Sequence, residues 1–80
     1  MKISKVVPMA HYRITVSFDN NQSVTLAMKE KLQTVRFSSL RNEQSFCAVQ
    51  TDGKALHWPG GISMAVSEII ELDVKQKAGK

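Results

Sequence analysis

The stretch YRITVSF alternates apolar Tyr12, Ile14, Val16 and Phe18 with polar Arg13, Thr15 and Ser17, the period-two pattern of a strand with one buried face. Asp19-Asn20-Asn21-Gln22 follows, a run of residues that tolerate turn dihedrals, and SVTLAM then puts Val24, Leu26 and Met28 on one face. Together they predict a β-hairpin. KISKVVP before it predicts a shorter strand, with Pro8 at a sheet edge or strand end because proline has no N–H for a ladder.

Residues 29–45 have no sustained strand period. Leu32, Val35, Phe37 and Leu40 read as apolar anchors of a docked connection, with one helical turn near residues 38–42. FCAVQT, the Asp52-Gly53 turn and ALHW read as a second hairpin, with Cys47 as a small buried residue on its first strand. In ISMAVSEIIELDV, Val66, Ile69, Ile70 and Val74 recur at helical spacing and Ser63 is a plausible N-cap. The expected fold is α+β: one domain over residues 1–74, an antiparallel sheet of about four or five strands with a C-terminal helix packed on one face. Tyr12, Ile14, Val16, Phe18, Leu26, Phe46, Leu56, Val66, Ile69 and Ile70 are the expected core. Residues 75–80 have the composition of a flexible basic tail.

A chain of 80 residues builds one core and leaves few large apolar side chains for a ligand cavity. Its 11 Lys and Arg against 7 Asp and Glu give a net charge of +4. Lys75, Lys77 and Lys80 follow Val74, so residues 1–74 hold 8 bases and 7 acids. The body is close to neutral, which weakens a nucleic-acid reading. That reading rests on Arg13, Lys29, Lys31, Arg36, Arg41 and Lys54 gathering on one face with Tyr12 or Trp58 for stacking.

Cys47 is the only cysteine, so the chain has neither an internal disulfide nor a CxxC motif. No apolar run has the length of a signal peptide or a membrane span, and a cytoplasmic location is expected. His11 and His57 have no patterned carboxylate or cysteine near them in sequence, the serines lack a GxSxG elbow, and PGG lacks the Lys-Ser/Thr of a phosphate loop. No catalytic, metal or cofactor residue is expected, and the chain reads as non-enzymatic.

LHWPGG, Leu56 to Gly61, is the most distinctive segment. Pro59 disfavours helix at Trp58, and Gly60 and Gly61 permit a turn that redirects the chain into the helix. Trp58 then packs under that helix, its N–H finding a carbonyl or water. The functional reading makes a partly exposed Trp58 an aromatic anchor for a partner chain, beside His57 and Lys54, with Arg13 facing out of its strand.

Val6-Val7-Pro8, the run Tyr12 to Asp19, Leu40, Phe46, Val49 and above all Leu56-His57-Trp58-Pro59-Gly60-Gly61-Ile62 resemble a family of small bacterial proteins, domain of unknown function 2442. Asp19-Asn20-Asn21 replaces the Asp-Gly usual in that turn, and Ser63 stands where an acidic residue is common. The resemblance implies a bacterial accessory or regulatory module with a protein partner, in some relatives one member of a toxin–antitoxin-like pair. The leading expectation is therefore protein interaction, with direct nucleic-acid binding as the alternative; homo-oligomerisation remains open.

Overall fold

A computed structural model describes residues 2–78 and gives six strands, two helices and two 3-10 turns. Strands β1 (Ile3–Met9), β2 (Arg13–Phe18) and β3 (Ser23–Ala27) form one antiparallel sheet in that order. Strands β4 (Gln50–Thr51), β5 (Ala55–Trp58) and β6 (Ile62–Ala65) form a second. Between the sheets the chain makes 3-10 turns at Lys31–Gln33 and Ser38–Arg41 and the short helix α1 (Glu43–Cys47); helix α2 (Val66–Ala78) ends the described fold. The α+β class holds, but the single sheet of four or five strands is corrected to two sheets of three.

The first hairpin is as the alternation predicts. Ile14, Val16 and Leu26 are fully buried, and Asn21 takes a left-handed φ of 66° in the turn. Pro8 lies near the end of β1, which is an edge strand. Strand β2 begins one residue later than expected. His11 and Tyr12 both adopt left-handed backbone, with φ of 63° and 57°, in the loop joining β1 to β2. That conformation costs a non-glycine residue roughly 1–2 kcal/mol. Tertiary contacts hold it: the Tyr12 carbonyl accepts from the Met28 N–H, its hydroxyl donates to the Arg41 carbonyl, and its half-buried ring meets Phe46 edge-on.

Phe46 and Cys47 lie in α1 rather than on a strand, because Asn42 caps that helix by accepting from the Gln44 N–H at 3.0 Å and Glu43 stands in its first turn. Phe46 is buried while Cys47 is exposed, against the expectation of a buried cysteine. The second correction follows Gly61. Trp58 pairs with Ile62, so Pro59-Gly60-Gly61 is a three-residue hairpin loop that returns the chain as β6 instead of starting the helix. Ser63 is therefore a strand residue, and α2 begins at Val66 with Glu68 in its first turn.

Starting the helix there fixes its inward face on Ile69, with Leu72 and Val66 half-buried. Ile70 and Val74, expected in the core or at its border, turn outward at 40% and 58% exposure. Residues 75–78, expected in the tail, form the last turn of α2, where Lys75 and Lys77 suit the negative end of the helix dipole. Lys80 lies outside the described residues.

Trp58 is 4% exposed and joins three elements. Its indole N–H donates 3.2 Å to the Phe46 carbonyl, one of the C-terminal carbonyls that α1 leaves without an intrahelical partner, and its ring meets Phe37 edge-on at 6.1 Å. Trp58→Ala is expected to cost about 3–5 kcal/mol, a large fraction of the stability of so small a domain, read as a fall in the urea midpoint or failure to fold. Gly60 and Gly61 sit at φ of 89° and 77° with open space around an added Cβ. Alanine at either position should therefore lose about 1 kcal/mol through backbone strain alone, leaving the core and spectroscopic signature of Trp58 intact.

Candidate interaction surface

The residues singled out in LHWPGG do not form one exposed cluster. Leu56 and Trp58 alternate inward on β5, and His57 between them faces solvent. Its Nε2 lies 3.0 Å from the Asp52 carboxylate, which also accepts from the backbone N–H groups of Lys54 and Ala55 at 2.9 and 3.0 Å. His57 is thus tied to the β4–β5 turn. Lys54 is exposed in the same turn, whereas Arg13 belongs to the other sheet, where its Nε donates to the Ala10 carbonyl at 3.4 Å. An aromatic anchor needs an accessible ring, and the Trp58 indole is covered.

The Asp52 carboxyl is held down to about 2 from its ordinary 3.8, first by the Lys54 N–H and next by the His57 ring and the Ala55 N–H. Glu68 is also lowered, chiefly by Arg36. Groups with depressed folded-state pKa stabilise the fold above their unfolded values and lose that contribution as pH falls. Stability should consequently stay level down to about pH 5 and decline toward pH 2. In urea titrations across that range, Asp52→Ala should be less stable at neutral pH and should show a shallower acid decline.

The exposed apolar side chains stand elsewhere. Val35, read from the sequence as a buried anchor, is 95% exposed. Both sides of it are fixed. The Thr34 hydroxyl donates to the Lys31 carbonyl at 2.6 Å, and the Val35 carbonyl accepts from the Ser38 hydroxyl at 3.1 Å. Arg36 forks onto both carboxylate oxygens of Glu68 at 2.7 and 2.9 Å, also donates to the Ser63 carbonyl, and lies 4.8 Å from the centre of the buried Phe37 ring. The loop is thereby tied to the start of α2, whose outer side carries Ile70 and Val74.

Beside this face runs a shallow groove between the 29–34 segment and α2, lined by Lys29, Glu30, Lys31, Leu72, Lys75 and Gln76 among others. It adjoins a second hollow that shares Lys29 and Gln33 and adds Tyr12, Leu32 and Arg41. Of the bases expected to gather, Lys29, Lys31 and Arg41 do come together here, joined by Lys75. Neither expected stacking ring is offered flat to them: Trp58 is buried, and the Tyr12 hydroxyl and ring are held by Arg41 and Phe46.

Among the described residues no three His, Cys, Asp or Glu side chains are grouped to hold a metal ion, and no helix is long and apolar enough to cross a membrane. The perturbed groups Asp52, Glu68 and Arg36 all serve turns or edges of the fold. Val35 and Arg36 carried little sequence signal, since a lone valine in an aperiodic segment looks like any buried one; Glu68, by contrast, was readable as a first-turn acid once the helix start was known.

The model of the family described as a protein of unknown function, DUF2442, matches residues 3–75. The chain belongs to the DUF2442 family. The matched span includes both sheets of this DUF2442 protein, the Val35 loop and all but the last turn of α2. No curated protein and no solved structure matches it.

Proposed function

We propose that this DUF2442 protein is a non-enzymatic protein-interaction module whose contact face comprises Val35 and the outer side of α2. The observation that carries the reading is the display of Val35 at 95% exposure on a loop already held by hydrogen bonds on both flanks. An apolar side chain held this way engages a partner without a further ordering cost, which is the economy of a preorganised contact. On the outer side of α2, Ile70 and Val74 add exposed apolar surface, and Lys31 and Lys75 lie beside Val74 as charged neighbours. The family resemblance adds the finer proposal that the partner is a second small protein neutralised by this one.

The nucleic-acid alternative is favoured by one observation, the gathering of Lys29, Lys31, Arg41 and Lys75 in adjoining hollows. Glu30, Glu68 and Glu71 share those walls or the neighbouring one, and they would repel a phosphate backbone.

The test is affinity capture from the native host by wild type and Val35→Asp, before and after nuclease treatment. A nuclease-resistant protein partner is expected with wild type. Because Val35 covers no core surface, Val35→Asp should leave the melting temperature unchanged while weakening that complex by about 2 kcal/mol, as loss of an interface hot spot does. Capture of nuclease-sensitive, salt-labile material insensitive to Val35→Asp would favour the alternative.

A further inference from the structure

Three parts of the chain converge to hold Arg41 in place. Its Nε donates to the Leu32 carbonyl at 3.0 Å, and Leu32 is a buried residue of the first 3-10 turn. The Arg41 carbonyl accepts from the Tyr12 hydroxyl, and the Tyr12 carbonyl accepts from the Met28 N–H at 2.8 Å. Backbone and side chain of Arg41 are thus both tied to the fold, and the Nη edge of its planar fork is what remains to bind. Lys29 follows the buried Met28 and lines the same hollow as Tyr12, Leu32 and Arg41. Among the described residues neither Arg41 nor Lys29 is in an ion pair, and no acidic side chain lines this hollow.

Two cations lining one hollow repel each other, and an anion seated between them relieves that repulsion. Because Arg41 is already positioned, a carboxylate that takes its fork incurs little further ordering cost. The hollow continues into a longer trough. It shares Lys29 and Gln33 with the groove along α2, and that groove shares Lys31, Leu72 and Lys75 with a third hollow bearing Glu68 and Glu71. Arg36 neutralises Glu68, while Glu71 is in no ion pair among the described residues. The lining therefore changes from cations alone at Tyr12 to mixed charge beside α2. A polynucleotide carries a charge at every residue and would meet Glu30 and Glu71 for what it gains at Arg41. A peptide places its charges singly, so a carboxylate can sit at Arg41 while uncharged residues cross Gln33 and the half-buried Leu72.

We propose that the hollow of Arg41 and Lys29 seats an aspartate or glutamate side chain from an acidic segment of the partner protein. The Nη edge of Arg41 takes the carboxylate oxygens, Lys29 supplies the second positive charge, and the segment runs along the trough toward Leu72. The assignment rests on the reading of this chain as a protein-interaction module and adds the chemistry of what it recognises. The trough ends beside Val74, so the seat and the outer side of α2 lie along one path. Tyr12 acts here as a positioning residue: its left-handed backbone places the hydroxyl on the Arg41 carbonyl, a use for local strain at a binding site.

Fluorescence anisotropy with the whole chain at low ionic strength tests this. The probe is the end-capped, labelled peptide Ser-Asp-Asp-Leu-Gly-Ser, compared with its Asp→Asn counterpart and with a short oligothymidylate. Wild type should bind the acidic peptide about tenfold or more tightly than the Asn peptide, in a salt-dependent manner. Arg41→Gln and Lys29→Gln should each weaken it by about tenfold. Lys29 makes no side-chain bond within the described fold, so its variant should keep the wild-type melting temperature even where Arg41→Gln loses some stability. Lys54→Gln lowers the net charge equally in the other hairpin and should change nothing. Equal binding of the Asp and Asn peptides would overturn the proposal, as would a loss with Lys54→Gln matching that with Lys29→Gln, or tighter binding of oligothymidylate at the same residues. Peptide binding by a chain that captures no host protein would defeat the contact face at Val35 and leave the carboxylate seat standing.

Discussion

A three-stranded sheet has two edges, and a chain this short has too few residues to close either of its two sheets into a barrel. Every outward N–H and C=O must therefore meet water, a side chain or another chain. Much of the molecule outside the core follows from that requirement. The Arg36–Glu68 pair, which at first sight is a surface ion pair of little consequence, spans the outer edge of β6 through the Ser63 carbonyl and the Ala65 N–H. Gln76, in the last turns of α2, does the same for β3 at Ala27. The helix that ends the described chain thus reaches one sheet at its start and the other near its end.

The core is arranged so that these edge contacts have fixed supports. Trp58 links β5 to α1 and to Phe37, and the Tyr12 ring packs against the Phe46 whose carbonyl accepts from Trp58. Phe37 in turn lies beneath the Arg36 guanidinium that bridges to β6. The chain of contacts runs from the first hairpin loop through α1 to the second sheet without a buried unsatisfied polar side-chain atom among the described residues. The left-handed backbone at His11 and Tyr12 is explained on the same terms, because the Tyr12 contacts with Met28, Arg41 and Phe46 offset the local strain.

The parts legible in the sequence were those whose signal is local. The alternation from Ile14 to Phe18, the Asn21 turn, the Asp52-Gly53 turn and the strand ending at Trp58 all appear where the residues place them. The helix start was displaced because ISMAV satisfies both periods: Ile62 and Met64 alternate, while Val66, Ile69 and Ile70 recur helically. What decided between them was the Trp58↔Ile62 pairing, a contact across the Pro59-Gly60-Gly61 loop that periodicity does not register. In FCAVQT the Asn42 cap was available as a signal and was outweighed by the β-like composition after it. Val35 was misread for a different reason: an isolated apolar residue has no periodic neighbours to state which way it faces.

The same distinction separates the candidate surface from the fold. His57 and Lys54 drew notice through their place beside an unusual motif, yet Asp52 employs His57 in a turn and Trp58 is consumed by packing. The features that bear on recognition arise only after folding: Val35 is left exposed between the two 3-10 turns, the late start of α2 turns Ile70 and Val74 outward, and the approach of the 29–34 segment to that helix brings Lys31 beside Val74 and Lys75. A helix capped by Ser63 would begin two residues earlier, a shift that rotates its faces by about 200°. It would bury Ile70 or Val74 and remove Gln76 from β3. The PGG hairpin loop, which adds strand β6 before the helix can begin, therefore sets both the outward face of α2 and the closure of the distant sheet edge.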